Sequence, residues 1–290
     1  MAYNNYNNTG PSNYEFLPFI KPRKFTADSK KVFSGYIEIE LITVDKLFIG
    51  SGMSHFDGVN IPASTLQENG KLIIPGSSLK GAVRHISRAV SPSCIPDAKE
   101  NEIRNGYFKK CRLDDCCIVC DMFGMMYKAS KLRFTDLISE NGKTVKIKVP
   151  TQFEPKKNND KYKEDRKFIG YKFYYTDCEE RNAPKRESIE AIVENTSFTG
   201  KIFFNKLYKE ELQLLMFALS FSEAFSIKLG KYKADGFGTV FMNYNKFILN
   251  GTEEPLESLY NLAWDYQDML IEKHPKQLEK LKKILYLLSL

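Results

Sequence analysis

Five of the six cysteines in this chain of 290 residues lie between positions 94 and 120, in a segment with no clear hydrophobic periodicity. Cys117 and Cys120 form a C-x-x-C pair, a spacing that lets two thiolates turn back onto one metal ion. A disulfide framework is not expected, because the opening stretch MAYNNYNNTGPSNYEF lacks the basic and apolar regions of a secretory signal. The cysteines therefore predict a metal-stabilised irregular segment over residues 91–122.

The expected metal is a structural zinc ion held by four thiolates, with no open position for water. The first choice of ligands is Cys94, Cys111, Cys117 and Cys120. Cys116 competes with Cys117 and Cys111, and His85 can replace one thiolate. The alternative is a set of free, buried cysteines.

Charge and aromatic content limit the kinds of partner that the chain can be expected to bind. Lysine and arginine number 43 against 36 acidic residues, and a solvated surface can carry the resulting net charge of +7 without any function. Rings lie among lysines in stretches such as KYKEDRKFIGYKFYY, where they can stack on bases while cations hold phosphates, although most rings are expected in the core. No apolar run approaches the roughly eighteen residues of a membrane span, so we expect a cytoplasmic protein without a membrane partner.

The order of predicted elements indicates an α+β fold. Strand, helix, strand, strand, helix and strand are expected at residues 33–50, 77–90, 130–139, 188–206, 208–226 and 229–249. This is the ferredoxin-like or RRM-like order, in which two helices cover one face of a four-stranded sheet. Ser77 or Ser78 is expected to cap the first helix.

The chain divides into three predicted parts. Residues 1–30 form a flexible N-terminal arm, 31–250 the α+β domain, and 251–290 a C-terminal helical extension with Pro255 and Pro275 at helix starts or breaks. The domain contains the zinc segment 91–122 and an insertion at 140–188, rich in Lys, Asn, Asp and Pro. We expect the insertion to be a long β-hairpin with a disordered tip near EPKKNNDKYKEDR.

Two motifs are suited to phosphate. In IPGSSLKGAVR, backbone N–H groups at a helix start attract anions, and Lys80 and Arg84 lie four residues apart on one face. The alternative without a binding function is a surface helix whose cations are solvated. In LGKYKADGFG, glycines permit close approach of the backbone to a ligand, and lysines flank them. Here the alternative is an ordinary loop before the last strand.

IPGSSLKGAVR, CIVCDMFG and LGKYKADGFGTV, in this order, resemble the RAMP superfamily of CRISPR-associated proteins. The closer similarity, over roughly residues 33–250, is to guide-RNA-binding backbone subunits of type III-like complexes. The resemblance implies copies that stack in a filament along a guide RNA, with the insertion as a thumb over the neighbouring subunit. It implies RNA contacts by Gly76, Ser77, Ser78, Lys80, Arg84, His55, Lys231, Lys233, Gly236 and Gly238.

One position departs from the target-cleaving members of that family, which carry an aspartate in a G-[IV]-D triplet before the serine motif. The corresponding triplet here is Gly58-Val59-Asn60, and an amide cannot act as a carboxylate. We therefore expect no catalytic residue and a non-catalytic subunit of a type III-D or type VII complex. Its expected partners are guide RNA, complementary target RNA, other effector subunits and a separate nuclease.

Two enzymatic alternatives use the same fold. One is a metal-dependent ribonuclease acting on the target, with Asp57 as its acidic residue and His55 as helper. The other is a zinc-stabilised endonuclease that processes the guide, which needs a general base and acid near the phosphodiester.

Overall fold

The computed structural model describes residues 13–54, 62–96, 98–152, 162–178, 180–181, 184–222 and 225–286. The helices are α1 (Gly76–Ala89), α2 (Ile118–Phe123), α3 (Lys209–Ala218), α4 (Glu257–Lys273) and α5 (Pro275–Ile284). The first strands are β1 (Tyr14–Pro18), β2 (Phe33–Thr43), β3 (Gly50–Ser54), β4 (Ala63–Thr65), β5 (Gln67–Glu68), β6 (Lys71–Ile74), β7 (Leu132–Phe134), β8 (Leu137–Ser139) and β9 (Thr144–Pro150). They are followed by β10 (Lys163–Glu164), β11 (Lys167–Phe168), β12 (Gly170–Tyr174), β13 (Lys185–Ile192), β14 (Ser197–Leu207), β15 (Ile227–Lys228), β16 (Thr239–Leu249) and β17 (Thr252–Glu254).

The main sheet confirms the α+β prediction. Its central strands lie in the order β16, β2, β14 and then β7 and β8, and all these neighbours are antiparallel. Along the chain, α1 lies between β2 and β7, and α3 lies between β14 and β16. This is the interleaved arrangement of a ferredoxin-like domain. The predicted strand at 130–139 is split into β7 and β8, and β6 adds to the sheet beside β8.

The alternation of β2 determines which face of the sheet is buried. Ile37, Ile39 and Leu41 are fully buried in the main core, because alternate side chains of a strand point to one face. The other face carries Glu38 and Glu40, and Lys201 pairs with Glu38 at 2.7 Å. The two carboxylates lie in the middle of this open face, where Lys201 compensates the charge of Glu38.

Helix α1 begins one residue earlier than predicted. Its N-cap is Pro75, so neither Ser77 nor Ser78 is the cap, and both serines lie in the first turn. The backbone N–H of Gly76 donates to Asp136 Oδ1 at 2.8 Å. A Cβ at Gly76 would lie 2.3 Å from the backbone oxygen of Phe134, so only glycine lets the helix start this close to the sheet.

The insertion is not one long hairpin. Its end strands β9 and β13 pair with each other, as predicted, and join β4 and β3 in a second, four-stranded sheet. Strand β12 leaves this ribbon and pairs with β1 instead. Tyr171 and Phe173 on one face of β12 are buried in the main core, and the burial of these apolar side chains favours the position of β12 beside β1. Residues 154–161 of the predicted tip lie outside the described residues.

The N-terminal region differs from the predicted flexible arm. Residues 14–18 form β1, and Leu17 is fully buried in the main core. The arm prediction overlooked this strand because YEFLP is too short to show a clear alternation. Residues 1–12 lie outside the described residues.

The C-terminal helices were predicted, and they complete the core. Leu259, Ala263 and Leu281 are fully buried, and the phenol of Tyr266 donates to the backbone oxygen of Val90 at 2.9 Å. Pro275 is the first residue of α5. None of the helices in the described ranges is long and apolar enough to cross a membrane.

Candidate metal centre and nucleic-acid interface

The structure brings together the four cysteines chosen first as ligands. The Sγ atoms of Cys94, Cys111, Cys117 and Cys120 all lie within 4.8 Å of one another. Cys94 Sγ is 3.5 Å from Cys120 Sγ and 3.7 Å from Cys117 Sγ. Tetrahedral bonds of about 2.3 Å from zinc place its sulfur ligands about 3.8 Å apart, so the cluster has the dimensions of a four-thiolate site. These residues can hold a metal ion.

The alternative ligands lie elsewhere. The thiol of Cys116 donates to Asp121 Oδ1 at 3.4 Å and accepts from Lys128 Nζ at 3.5 Å, so it points away from the cluster. His85 packs its ring 4.6 Å from that of Phe173 and donates from Nε2 to the backbone oxygen of Lys172 at 3.0 Å. The fold therefore separates both residues from the four-cysteine set.

Hydrogen bonds among the four thiols shift their pKa values in opposite directions. The bonds with Cys111, Cys120 and Cys94 hold the pKa of Cys117 far below its usual value. The same kind of bond, first from Cys111, raises the pKa of Cys94. Neighbouring thiols thus stabilise a thiolate by donating hydrogen bonds to it, and a metal ion would take over that role, since its ligands must be deprotonated.

Lys80 and Arg84 reach towards the protein rather than away from it. Lys80 Nζ donates to Ser130 Oγ and to the backbone oxygen of Leu132, both at 2.8 Å. Arg84 Nη2 donates to the backbone oxygen of Gly124 at 2.8 Å. Burial, and then the charge of the neighbouring cation in the helix, lowers the pKa of Lys80 and of Arg84. Both side chains tie α1 to the chain that follows the cysteine segment, and their contact with RNA stays a prediction.

A cleft of about 320 Å³ joins the two predicted phosphate motifs. Helix α1 contributes Ser78 and His85, and the glycine-rich loop, residues 229–238, contributes Lys233. The insertion adds Lys172 and Phe173 from β12. No Asp or Glu is among the described residues that line the cleft, so its charged groups are all cations.

The cations of the cleft form no ion pair with a described residue, although Lys233 Nζ donates to the backbone oxygen of Gly230 at 2.7 Å. Lys228, which comes just before the loop, is buried, and its Nζ donates to the backbone oxygen of Lys233 at 3.4 Å and to Cys178 Sγ at 3.9 Å, while the nearby Asp45 carboxylate favours its charged form. Burial lowers the pKa of Lys228. Burial, and then the charge of Lys228, also lowers the pKa of Lys233. An anion in the cleft would raise both pKa values again, because a nearby negative charge favours the charged ammonium groups.

Tyrosine rings surround the third cation. Lys172 Nζ lies 3.9 Å from the ring centre of Tyr14 and 4.8 Å from that of Tyr174, and it donates to the phenol of Tyr162 at 3.0 Å. Lys172, Tyr162 and Tyr174 belong to the KYKEDRKFIGYKFYY stretch, whereas Tyr14 comes from β1. The sequence suggested stacking there, but it did not identify Lys172 or Lys228 as neighbours of the two motifs.

The remaining residues of the glycine-rich loop take different positions. Gly238 has φ +89, and a Cβ there would lie 2.1 Å from the backbone oxygen of Leu229, so the loop closes on itself only with glycine. Lys231 is exposed, and Gly236 lies against the backbone of Cys178 in the insertion. His55, Asp57 and Asn60 lie outside the described residues, in the connection between β3 and β4.

The comparisons with known proteins bear on this arrangement. The sequence profile of the RAMP superfamily matches residues 40–240, which include α1, the cysteine cluster and the glycine-rich loop. The chain belongs to the RAMP superfamily. No curated protein matches this chain. As a RAMP protein it has the RRM-like fold that the main sheet displays, and membership indicates a CRISPR-associated, RNA-binding protein.

Proposed function

We propose that this RAMP protein is a non-catalytic backbone subunit of a type III-D or type VII CRISPR effector complex. It binds the guide RNA, stacks with further copies of itself along that RNA, and holds the guide–target duplex for a separate nuclease. Sequence recognition belongs to base pairing, and the protein contacts the backbone of the guide. A structural zinc ion in the cysteine cluster holds the segment behind α1.

The observation that carries the proposal is the cleft. It collects Lys172, Lys228 and Lys233 with no carboxylate among its described lining residues, and the half-buried ring of Tyr174 also lines it. Cations with adjacent aromatic rings suit a single-stranded backbone, which needs charge for its phosphates and flat surfaces for its bases. On the open face of the sheet, where RRM domains hold RNA, Lys201 is already paired with Glu38, and Glu40 lies on the same strand.

The test is RNA affinity as a function of salt. Lys172→Met and Lys228→Met each remove one cation of the cleft, and Lys246→Met, which breaks a surface pair with Glu253, is the matched control. Fluorescence anisotropy with a labelled single-stranded RNA should show weaker binding by both cleft variants for every RNA sequence. The slope of log affinity against log salt should fall by about 0.7 for each phosphate that a variant no longer binds. Affinities and slopes equal to those of the control would contradict the proposal.

Stoichiometry separates the proposed subunit from a guide-processing endonuclease. A filament subunit loads several copies onto one long RNA, whereas a processing enzyme binds once and releases shortened RNA. Mass measurement of the complex on RNAs of increasing length distinguishes the two. A constant single copy would contradict the backbone role.

A further inference from the structure

The glycine-rich loop and the insertion share a small core of their own. Tyr232 and Phe237 of the loop pack around Phe48 with Val149 of β9 and with Ile189 and Ala191 of β13, the two strands that end the insertion. The Tyr232 ring lies 5.8 Å from that of Phe237 and 5.7 Å from that of Phe48. This cluster is distinct from the main core, so one side of the loop is anchored on the insertion rather than on the central sheet.

A buried ion pair strengthens the same contact. The Asp235 side chain is fully buried and accepts hydrogen bonds from Arg181 Nε at 2.6 Å and Arg181 Nη2 at 2.9 Å. Gln152 Nε2 donates to the same carboxylate at 2.6 Å. The two-point geometry fixes both the direction and the rotation of Asp235, since an arginine fork matches a carboxylate in only a few orientations.

A second polar bond lies on the other side of the turn. The phenol of Tyr232 donates to Glu187 Oε2 at 2.5 Å, and Tyr232 itself has φ +59, a conformation that a tyrosine adopts only when its surroundings hold it. Lys233 lies between these two anchored residues and lines the cleft. The insertion therefore determines how Lys233 is presented, although Arg181, Gln152 and Glu187 are not among the cleft residues.

We propose that Arg181 and Gln152 are positioning residues for RNA binding: through Asp235 they hold the glycine-rich loop in the conformation that turns Lys233 into the cleft. RNA affinity and the conformation of the insertion are then coupled, and the coupling is reciprocal. A change in the conformation of the insertion lowers the affinity for RNA, and RNA bound in the cleft restricts the motion of the insertion. This inference rests on the proposed function of the cleft.

The experiment compares Arg181→Met with Lys185→Met, which removes the same charge from an exposed pair with Glu180 in the same insertion. Anisotropy with labelled single-stranded RNA should show affinity weakened about tenfold by Arg181→Met, within the usual range of coupling between sites. The salt slope should stay unchanged, because every cation that binds phosphate is still present. Arg181→Lys should recover part of the affinity, and Asp235→Asn combined with Arg181→Met should cost no more than either alone.

Hydrogen exchange gives a reading that does not depend on RNA. The amides of Leu229 and Gly238, which donate to the backbone oxygens of Gly238 and Lys46, should exchange faster in Arg181→Met than in wild type or Lys185→Met. Retained metal content shows that the rest of the fold is intact. Bound RNA should slow these amides in wild type and slow them less in Arg181→Met.

The outcomes separate the two proposals. A salt slope lowered by Arg181→Met would mean that Arg181 itself contacts phosphate. An RNA affinity equal to that of Lys185→Met would mean that the Arg181–Asp235 pair does not position the loop. Either result overturns the inference and leaves the proposed RNA site intact. If wild type binds no RNA, the proposed function fails. Hydrogen exchange then still decides whether Arg181 holds the loop, and unchanged amide rates would refute that as well.

Discussion

Lys80 donates a hydrogen bond from its Nζ to the backbone oxygen of Leu132, 2.8 Å away, and so joins the helix of the serine motif to the strand that follows the cysteine segment. Arg84, one turn further along the helix, makes the equivalent bond to the backbone oxygen of Gly124. Lys80 and Arg84 of α1 therefore hold the chain that runs from the cysteine cluster to the main sheet.

Removal of this bond should destabilise the protein. Lys80→Met removes both hydrogen bonds of the ammonium, and although Ser130 Oγ still donates to the backbone oxygen of Leu132, a hydrogen bond made by a charged group contributes about 1.5–3 kcal/mol. Urea unfolding should show a decrease of this size. Lys71→Met, which breaks an exposed pair with Glu140, should cost less than about 1 kcal/mol. Equal stability of Lys80→Met and wild type would mean that Lys80 is free for solvent or RNA.

Metal content should distinguish adjacent cysteines. Cys117→Ser should lose the metal, because three thiolates cannot complete the tetrahedral site, whereas Cys116→Ser should keep it, since Cys116 bonds to Asp121 instead. Elemental analysis of freshly purified protein should give about one zinc per chain for wild type and for Cys116→Ser.

The fold of the cysteine segment should depend on that metal. Chelation of wild type should expose residues 91–122 to protease, since metal-binding energy is folding energy in a segment with so little regular structure. Absence of metal in wild type, or its loss from Cys116→Ser, would refute the four-cysteine assignment.

Stability should fall as the pH rises towards 8. Burial, and then the neighbouring Asp121, raises the pKa of Glu211 to about 8 from its ordinary value near 4.5. The folded protein thus holds a proton that the unfolded chain releases, so this group stabilises the fold below about pH 4.5 and loses that contribution as the pH rises through 8.

The comparison uses Glu211→Gln, in which an amide replaces the protonated acid. Urea unfolding between pH 5 and 9 should show a smaller decline for Glu211→Gln than for wild type, by no more than about 1.4 kcal/mol per pH unit. Glu272→Gln, at an exposed position of α4, should follow wild type. Parallel curves for all three proteins would show that Glu211 is ionised in the folded state.

Target RNA should remain intact. An amide at Asn60 neither titrates at neutral pH nor carries charge, so it can neither take a proton nor hold a divalent ion as a carboxylate does. The subunit assembled on guide RNA with labelled target and magnesium should leave the target uncut. Asn60→Asp should introduce slow cleavage if the loop otherwise has the required geometry. Regular cleavage by wild type that disappears in Asp57→Ala would make the chain a nuclease.

Local patterns were sufficient for much of the fold. The alternation of FSGYIEIEL predicted β2, and the break expected near Asn195 separates β13 from β14, where Asn195 has φ +57. The cysteine spacing predicted the four-residue cluster that the structure assembles. In each case neighbours in sequence carry the information, because periodicity and ligand spacing are properties of short stretches.

What the sequence by itself determined is the α+β class, the set of four cysteines that can hold a metal ion, and the serine and glycine-rich motifs, since each depends on residues close along the chain. Only the tertiary structure decided that β12 leaves the insertion to pair with β1, that Lys172 and Lys228 join Lys233 in one cleft, and that Arg181 anchors Asp235. These relationships join residues far apart in sequence. They depend on which buried surfaces and charges can be satisfied together, and no local pattern encodes that.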